Sequence, residues 1–235
     1  MKKILLMLLL GSFPFSSLFM QAGHDTESAE TIIAKVAEAM GGYDKIRQIE
    51  TLSYQSIYPD HGTTPSIVEI GRPNKSRNPR YNLVFDGTQA CFLEGYKDNK
   101  EPQMIDENQL NDFVIEIALH FPAFFDYPTK LIDSVMINFK DTYHLQTSLP
   151  RNLTIDYYID KETFLLIKAS TQFKMMDRDV VWDRVYNEYK NINGIMFPHK
   201  FTYPGKDGDV LYAELVNVEI NSLGKDTFVI PDNIK

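Results

Sequence analysis

Cysteine is nearly absent: Cys91 stands alone in 235 residues, so no internal disulfide can form. A chain of this length buries a core large enough to do without one. Cys91 lies between Ala90 and Phe92 in an apolar run, where a thiol is expected to be buried and inert. Basic residues are also short, with 24 Lys and Arg against 32 Asp and Glu, giving a formal charge of -8. A field of that sign repels phosphate backbones and anionic lipid surfaces, so a nucleic-acid function is excluded. The longest early apolar run, Ile4 to Leu10, falls far short of the roughly 20 residues that a membrane helix needs. Catalytic signatures are missing as well. The five histidines (His24, His61, His120, His144, His199) include no HExxH and no zinc pair at helical spacing. Only folding can bring His144 and His199 together with a carboxylate, and no metal site is expected. There is no Gly-x-Ser-x-Gly elbow, and Gly62, Gly71 and Gly87 form no phosphate loop. Asp156, Asp160, Asp177, Asp179 and Asp183 are expected at strand ends and on wet faces rather than as a catalytic pair.

What is present begins with a leader pattern. Lys2 and Lys3 precede the apolar run, and a Gly/Ser/Pro-bearing stretch ends in Met20-Gln21-Ala22. This is the layout of a secretory signal peptide over residues 1–22, cut after Ala22. A retained single-pass anchor is the alternative. The segment has no cysteine, so lipidation of a new amino terminus is not expected. Residues 23–235 then form one domain, soluble after export to the periplasm.

Periodicity sets the elements. Ala29, Ile32, Ile33, Val36, Ala37 and Met40 recur at helical spacing, with Thr26 or Ser28 as cap and Gly41-Gly42 as stop. A short helix or turn runs from Asp44 to Ile49. Strands follow at Leu52 to Tyr58 and Ser66 to Ile70, and Gly71 to Pro79 reads as a loop or a frayed edge. Asp86-Gly87 marks a tight hairpin between Arg80–Phe85 and Thr88–Leu93. A second helix covers Asp106 to His120, with Leu110, Phe113, Val114, Ile117 and Ala118 as its stripe and Pro122 as its end. Seven further strands run near 131–138, 142–147, 152–159, 163–173, 179–190, 195–203 and 209–220. The fold class is α+β, mainly β with an α cover. It is a strongly curved antiparallel sheet or unclosed barrel of about nine to eleven strands, capped by two helices.

Several strands are apolar on both faces, which means that both faces meet something apolar. With 15 Phe, 13 Tyr and 9 Met, the chain has the adaptable side chains that suit a pocket for a flexible apolar ligand. Burying an acyl tail yields about 0.8 kcal/mol per methylene, enough for carriage without catalysis. The expected wall residues are Ile33, Val36, Met40, Phe113 and Ile117 on the helices. On the sheet they are Tyr54, Tyr81, Phe85, Phe92, Trp182, Tyr186, Phe197 and Phe201. A filled core is the alternative use of the same residues.

The order of elements resembles the bacterial outer-membrane lipoprotein carrier and its receptor, the lipoprotein-sorting family. Ala39-Met40-Gly41-Gly42 closes the opening helix, and Ile49-Glu50-Thr51-Leu52 enters the first strand. Asp86-Gly87-Thr88 turns a central hairpin. Tyr189 to Lys200, including Asn193-Gly194 and Phe197-Pro198, matches the family's strand, glycine turn and strand opening on Phe-Pro. The resemblance implies an unclosed bent barrel with a helical lid that holds acyl chains, without chemistry and without a cofactor. It also implies an arginine inside the cavity, for which Arg80 and Arg184 are the strand-borne choices. The expected ligand is a lipid or lipoprotein acyl chain. Two other functions stay open. One is an assembly module docking another envelope protein through Phe121 to Tyr127, and the other is a hydrolase acting on lipid or glycan.

Overall fold

Ser28 starts the first helix, its hydroxyl accepting the Thr31 amide at 3.2 Å. Helix α1 spans Ala29–Ala39, and Ile32, Val36 and Met40 lie one turn apart on its buried face. Gly41 and Gly42, at φ +123° and +110°, end it and let the chain turn into a short helix α2, Tyr43–Arg47. These relations come from a computed structural model that describes residues 27–59, 64–175, 178–205 and 209–234. The expected leader over residues 1–22 lies outside the described residues, as do His24, His61, Asp177 and the turn at 206–208.

Six strands precede the inserted helix: β1 (Thr51–Ile57), β2 (Ser66–Gly71), β3 (Lys75–Asn78), β4 (Leu83–Phe85), β5 (Ala90–Phe92) and β6 (Gln103–Met104). Helix α3 spans Leu110–His120. Seven strands follow: β7 (Thr129–Ile137), β8 (Lys140–Leu149), β9 (Leu153–Asp160), β10 (Leu166–Met175), β11 (Arg178–Ile192), β12 (Ile195–Pro204) and β13 (Val210–Ile220). All join one curved, unclosed antiparallel sheet in the order β6-β5-β4-β3-β2-β1-β13-β12-β11-β10-β9-β8-β7. Pairing of β1 with β13 fuses two meanders, leaving β6 and β7 as the edges. Register shifts at Ser53/Gln55, Leu131/Asp133 and Leu166/Lys168 bend their strands, as bulges do. The thirteen strands exceed the nine to eleven expected. The stretch from Gly71 to Pro79, which reads as a loop or a frayed edge, holds the interior strand β3, and β6 is a two-residue strand with both residues exposed.

Turn chemistry fixes the register. Asn193 and Gly194, at φ +52° and +84°, form the two-residue connection between β11 and β12, where Ile192 faces Ile195. The Asp86 connection is longer than the two residues expected. Its carboxylate Oδ1 accepts the Thr88 and Gln89 amides at 2.9 and 3.0 Å, so four residues join β4 to β5. Pro79–Tyr81 forms a 3-10 turn and Asn82 is left-handed, which shortens β4 to three residues.

The α1 end of the sheet is tightly closed. The Met196 amide donates to the Met40 carbonyl at 2.8 Å, and a Cβ on Gly41 would come within 2.0 Å of the Gly194 carbonyl oxygen. Arg72 locks the neighbouring corner. It donates to the Ile46 and Ile49 carbonyls at 2.6 and 2.9 Å, makes a two-pronged pair with Asp126, and lies over the Phe121 ring. One apolar core runs beneath both helices, from Ile32 and Ile46 through Phe85 and Ile115 to Tyr157 and Phe197.

Candidate ligand-binding cavity

Helix α3 is placed by topology. The chain leaves the sheet at edge strand β6 and re-enters at the opposite edge, β7, so the connection must cross the concave face. The apolar stripe Leu110, Val114, Ile117 and Ala118 turns inward as its spacing requires. At the helix C-terminus the last carbonyls lack intrahelical donors. Sheet tyrosines supply them. The Tyr157 hydroxyl donates to the Ala118 carbonyl at 2.7 Å and accepts the Ala123 amide at 2.9 Å, while Tyr186 donates to Leu119 at 2.6 Å. Tyr54 reaches up from β1 and donates to His120 Nδ1. Burial pushes the hydroxyl pKa values of Tyr54, Tyr157 and Tyr186 up, so all three remain protonated donors.

Beside this docked helix, a cavity of about 530 Å³ opens between α3 and strands β1, β11 and β12. Its apolar wall is Tyr58, Leu119, Trp182, Phe201, Tyr203 and Pro204. The volume is typical of a site for one small ligand. Two charged side chains face it. Arg184 lies between Trp182 and Tyr186 on β11, in the alternation that turns that face toward the lid. Its guanidinium is 4.4 Å from the Phe201 ring centre and donates through Nη1 to His120 Nδ1 at 3.0 Å. Glu116, one turn before His120 on α3, lines the opposite wall, and its side chain is 56% exposed because it faces the cavity. Asp183 contributes to the rim but turns to the outer face, where it pairs with Lys168 and accepts from Ser170.

His120 ties the polar cluster together. Burial, then the Arg184 charge, lower its pKa to about 4, so it is neutral near pH 7. Arg184 can only donate, so Nδ1 is the acceptor and shares its one lone pair between Arg184 and Tyr54; the proton is on Nε2, which makes no hydrogen bond among the described residues and lies 3.5 Å from Glu116 Oε1. Burial would raise the Glu116 pKa, but His120 and Arg184 outweigh it and hold the carboxyl below its usual range. Among the described residues, Arg184 forms no salt bridge.

Of the expected wall residues, Trp182 and Phe201 line this cavity. Tyr54, Tyr186 and Phe197 face the same way but are buried in the layer beneath it. Val36 and Met40 are buried in the closed end under α1, and Phe85, stacked on Phe113 at 5.2 Å, fills the middle of the core with Ile117. Ile33 lines a separate cleft with Tyr43, Phe124 and Tyr127. Tyr81 lies outside the core, 45% exposed on its 3-10 turn, and Phe92 stacks on Tyr96 nearby. That corner forms a polar cleft with Arg77, Arg80 and Lys97, so Arg80 is no cavity arginine. The segment Phe121 to Tyr127 is also not an exposed docking patch, since Phe121 and Phe124 are buried against α3 and Tyr157. Sequence reasoning missed Glu116, Tyr58 and Tyr203 as wall residues. Tyr58 and Tyr203 extend the inward alternation of β1 and β12 by one step, and that signal was available.

The remaining polar candidates lie elsewhere. Both ring nitrogens of His144 are taken by Asp133 and Asp156 on the outer face, and His199 contacts the Phe197 carbonyl, so the two histidines do not meet. Cys91 is buried among Val84 and Ile230, and burial raises its thiol pKa.

No protein-family model and no curated protein match the chain. Solved structures do. A LolA superfamily protein from Nitrosomonas europaea superposes with a TM-score of 0.55 at 16% identity, covering 87% of this chain and 98% of that one. A DUF1329 family protein from Desulfovibrio piger gives 0.52 at 10% identity, covering 88% and 98%. The chain therefore has the fold of the LolA superfamily, an open bent antiparallel sheet with helices laid across its concave face.

Proposed function

We propose that this chain is an exported, non-enzymatic carrier that holds an acyl chain, free or as a lipoprotein anchor, in the cavity beside α3. On this proposal residues 1–22 are a cleaved signal, residues 23–235 are one domain, and the protein works in the periplasm. The observation that carries it is an apolar, aromatic cavity of about 530 Å³ under a helical cover. A hydrocarbon tail gains from leaving water for such a wall, with no catalytic group needed. The shared fold with a LolA superfamily protein is in keeping with this role.

The decisive experiment is native mass spectrometry of protein purified from its own envelope, followed by lipid extraction. A copurified acyl species is the expected result. Trp182 is the chain's single tryptophan and lines the cavity, so lipid titration is expected to shift its emission. No bound lipid, and no displacement of an apolar dye by fatty acid, would remove the proposal.

One observation favours a second function. Tyr54 and His120 are buried beside Glu116 at the cavity wall, and the histidine is strongly shifted, as in hydrolytic sites. A histidine held at about 4 is poorly matched to general base catalysis at neutral pH, and Nδ1 is occupied by two donors. Ester hydrolysis abolished by His120→Gln would establish this alternative.

A further inference from the structure

The polar end of the ligand can be inferred from how the cavity's two charges are held. This step rests on the cavity being a lipid site. Arg184 is half-buried and Glu116 is more than half exposed, and both line the same cavity within reach of one ligand. Arg184 and Glu116 do not pair. The His120 imidazole stands between them, with Nδ1 3.0 Å from Arg184 Nη1 and Nε2 3.5 Å from Glu116 Oε1. Being neutral near pH 7, it separates the charges without cancelling either. The guanidinium keeps further N–H donors for an anion, and its planar fork suits phosphate or carboxylate oxygens. Glu116 keeps acceptor capacity on the cavity side. Tyr58 and Tyr203 belong to the aromatic wall, their rings packed edge to face at 6.1 Å and 80°. A carboxylate on the cavity wall is a charge-assisted acceptor for a ligand's ammonium group.

We propose that the cavity takes a single-chain lipid whose polar end carries both an anionic oxygen group, bound by Arg184, and an ammonium group, held by Glu116. The acyl chain lies along Trp182, Leu119 and Phe201. Neither a free fatty acid nor an uncharged acylglycerol satisfies both charges.

The test uses the full chain, stripped of lipid, and three probes with the same acyl chain. Lysophosphatidylethanolamine carries both charges, lysophosphatidylglycerol carries only the phosphate, and monoacylglycerol carries neither. Glycerophosphoethanolamine serves as the head group without a tail. Trp182 emission and native mass spectrometry give the affinities. The expected order is ethanolamine, then glycerol phosphate, then uncharged lipid, with the first and last on the order of tenfold or more apart. Relative to each variant's own affinity for monoacylglycerol, Glu116→Gln is expected to bring the two phospholipids to parity, and Arg184→Met to weaken both. Equal binding of all three lipids would overturn the head-group assignment alone, as would a Glu116→Gln change of the same factor for both phospholipids. Glycerophosphoethanolamine binding as tightly as its acylated form would overturn the lipid part. Failure of all three lipids to bind would remove the carrier function itself.

Discussion

Phe139 is 96% exposed and left-handed at φ +63°, next to Asn138 at +49°, in the two-residue connection between β7 and β8. A phenylalanine gains nothing from burial there and carries the steric strain of that conformation. Phe139→Gly is expected to stabilise the protein by about 1 kcal/mol, read as a higher urea midpoint at unchanged slope. His120 gives the opposite kind of residue effect. Its folded pKa of about 4 lies below the ordinary 6.5, so between those values the unfolded chain takes up a proton that the folded one does not. Its contribution is therefore complete above about pH 6.5 and lost as pH falls toward 4, by up to roughly 3 kcal/mol. Urea titrations should show His120→Gln losing less stability than the wild type over this interval. An equal loss would contradict the assignment of a buried neutral imidazole facing Arg184, Tyr54 and Glu116. These residues were the least legible in the sequence. Glu116 sits inside an apolar helical stripe with no signal of its own, whereas Arg184 is one of two strand-borne choices for a cavity arginine, and only the folded pairing of α3 with β11 selects it over Arg80.

Elements were far more legible, because each one's pattern agrees with its place. The α1 stripe and its glycine stop predicted the helix, and of the two caps offered, Thr26 and Ser28, the structure uses Ser28. The long strands after residue 129 announced themselves by alternation. The elements that escaped have little to announce: β3 is Lys75-Ser76-Arg77-Asn78, and β6 has two residues. They are strands because neighbouring backbones need partners, not because their side chains prefer it. The attachment of α3 is likewise a matter of backbone accounting. Tyr157→Phe strands both the Ala118 carbonyl and the Ala123 amide, and is expected to cost about 2 kcal/mol. Hydrogen exchange at residues 118–123 should quicken more than that of the β11–β12 ladder. At the other helix, Gly41→Ala drives a methyl against the Gly194 carbonyl at a backbone angle that alanine resists. A loss of more than about 2 kcal/mol is expected in equilibrium denaturation. Retention of full stability would mean that the α1 end gives way more readily than its contacts imply.

At the scale of the molecule, alternation disclosed the curved sheet and its inner face, but not the height of each residue along that face. Tyr54, Phe197 and Trp182 all point inward, yet only Trp182 stands high enough to border empty space. Height depends on where the helices come to rest, and that follows from the order in which the chain visits the two edges. Because β6 and β7 are those edges, α3 is anchored on opposite rims like the handle of a bucket. Arg151 tightens the near anchorage, donating to Asn111 at 2.7 Å and to the Glu107 carbonyl at 2.8 Å. The Tyr157, Tyr186 and Tyr54 bonds fix the C-terminal end of α3, and the Gly41–Gly194 contact closes the α1 end of the sheet. On the carrier proposal, cargo enters and leaves past the wall residues Tyr58 and Tyr203. Cutting the handle at one anchorage tests whether α3 governs that passage. A protease site inserted within Glu107–Gln109 and cleaved after folding should hasten lipid release in stopped-flow traces of Trp182 emission. An unchanged release rate would mean that the passage of cargo is set at those wall residues alone, with the handle a fixed brace.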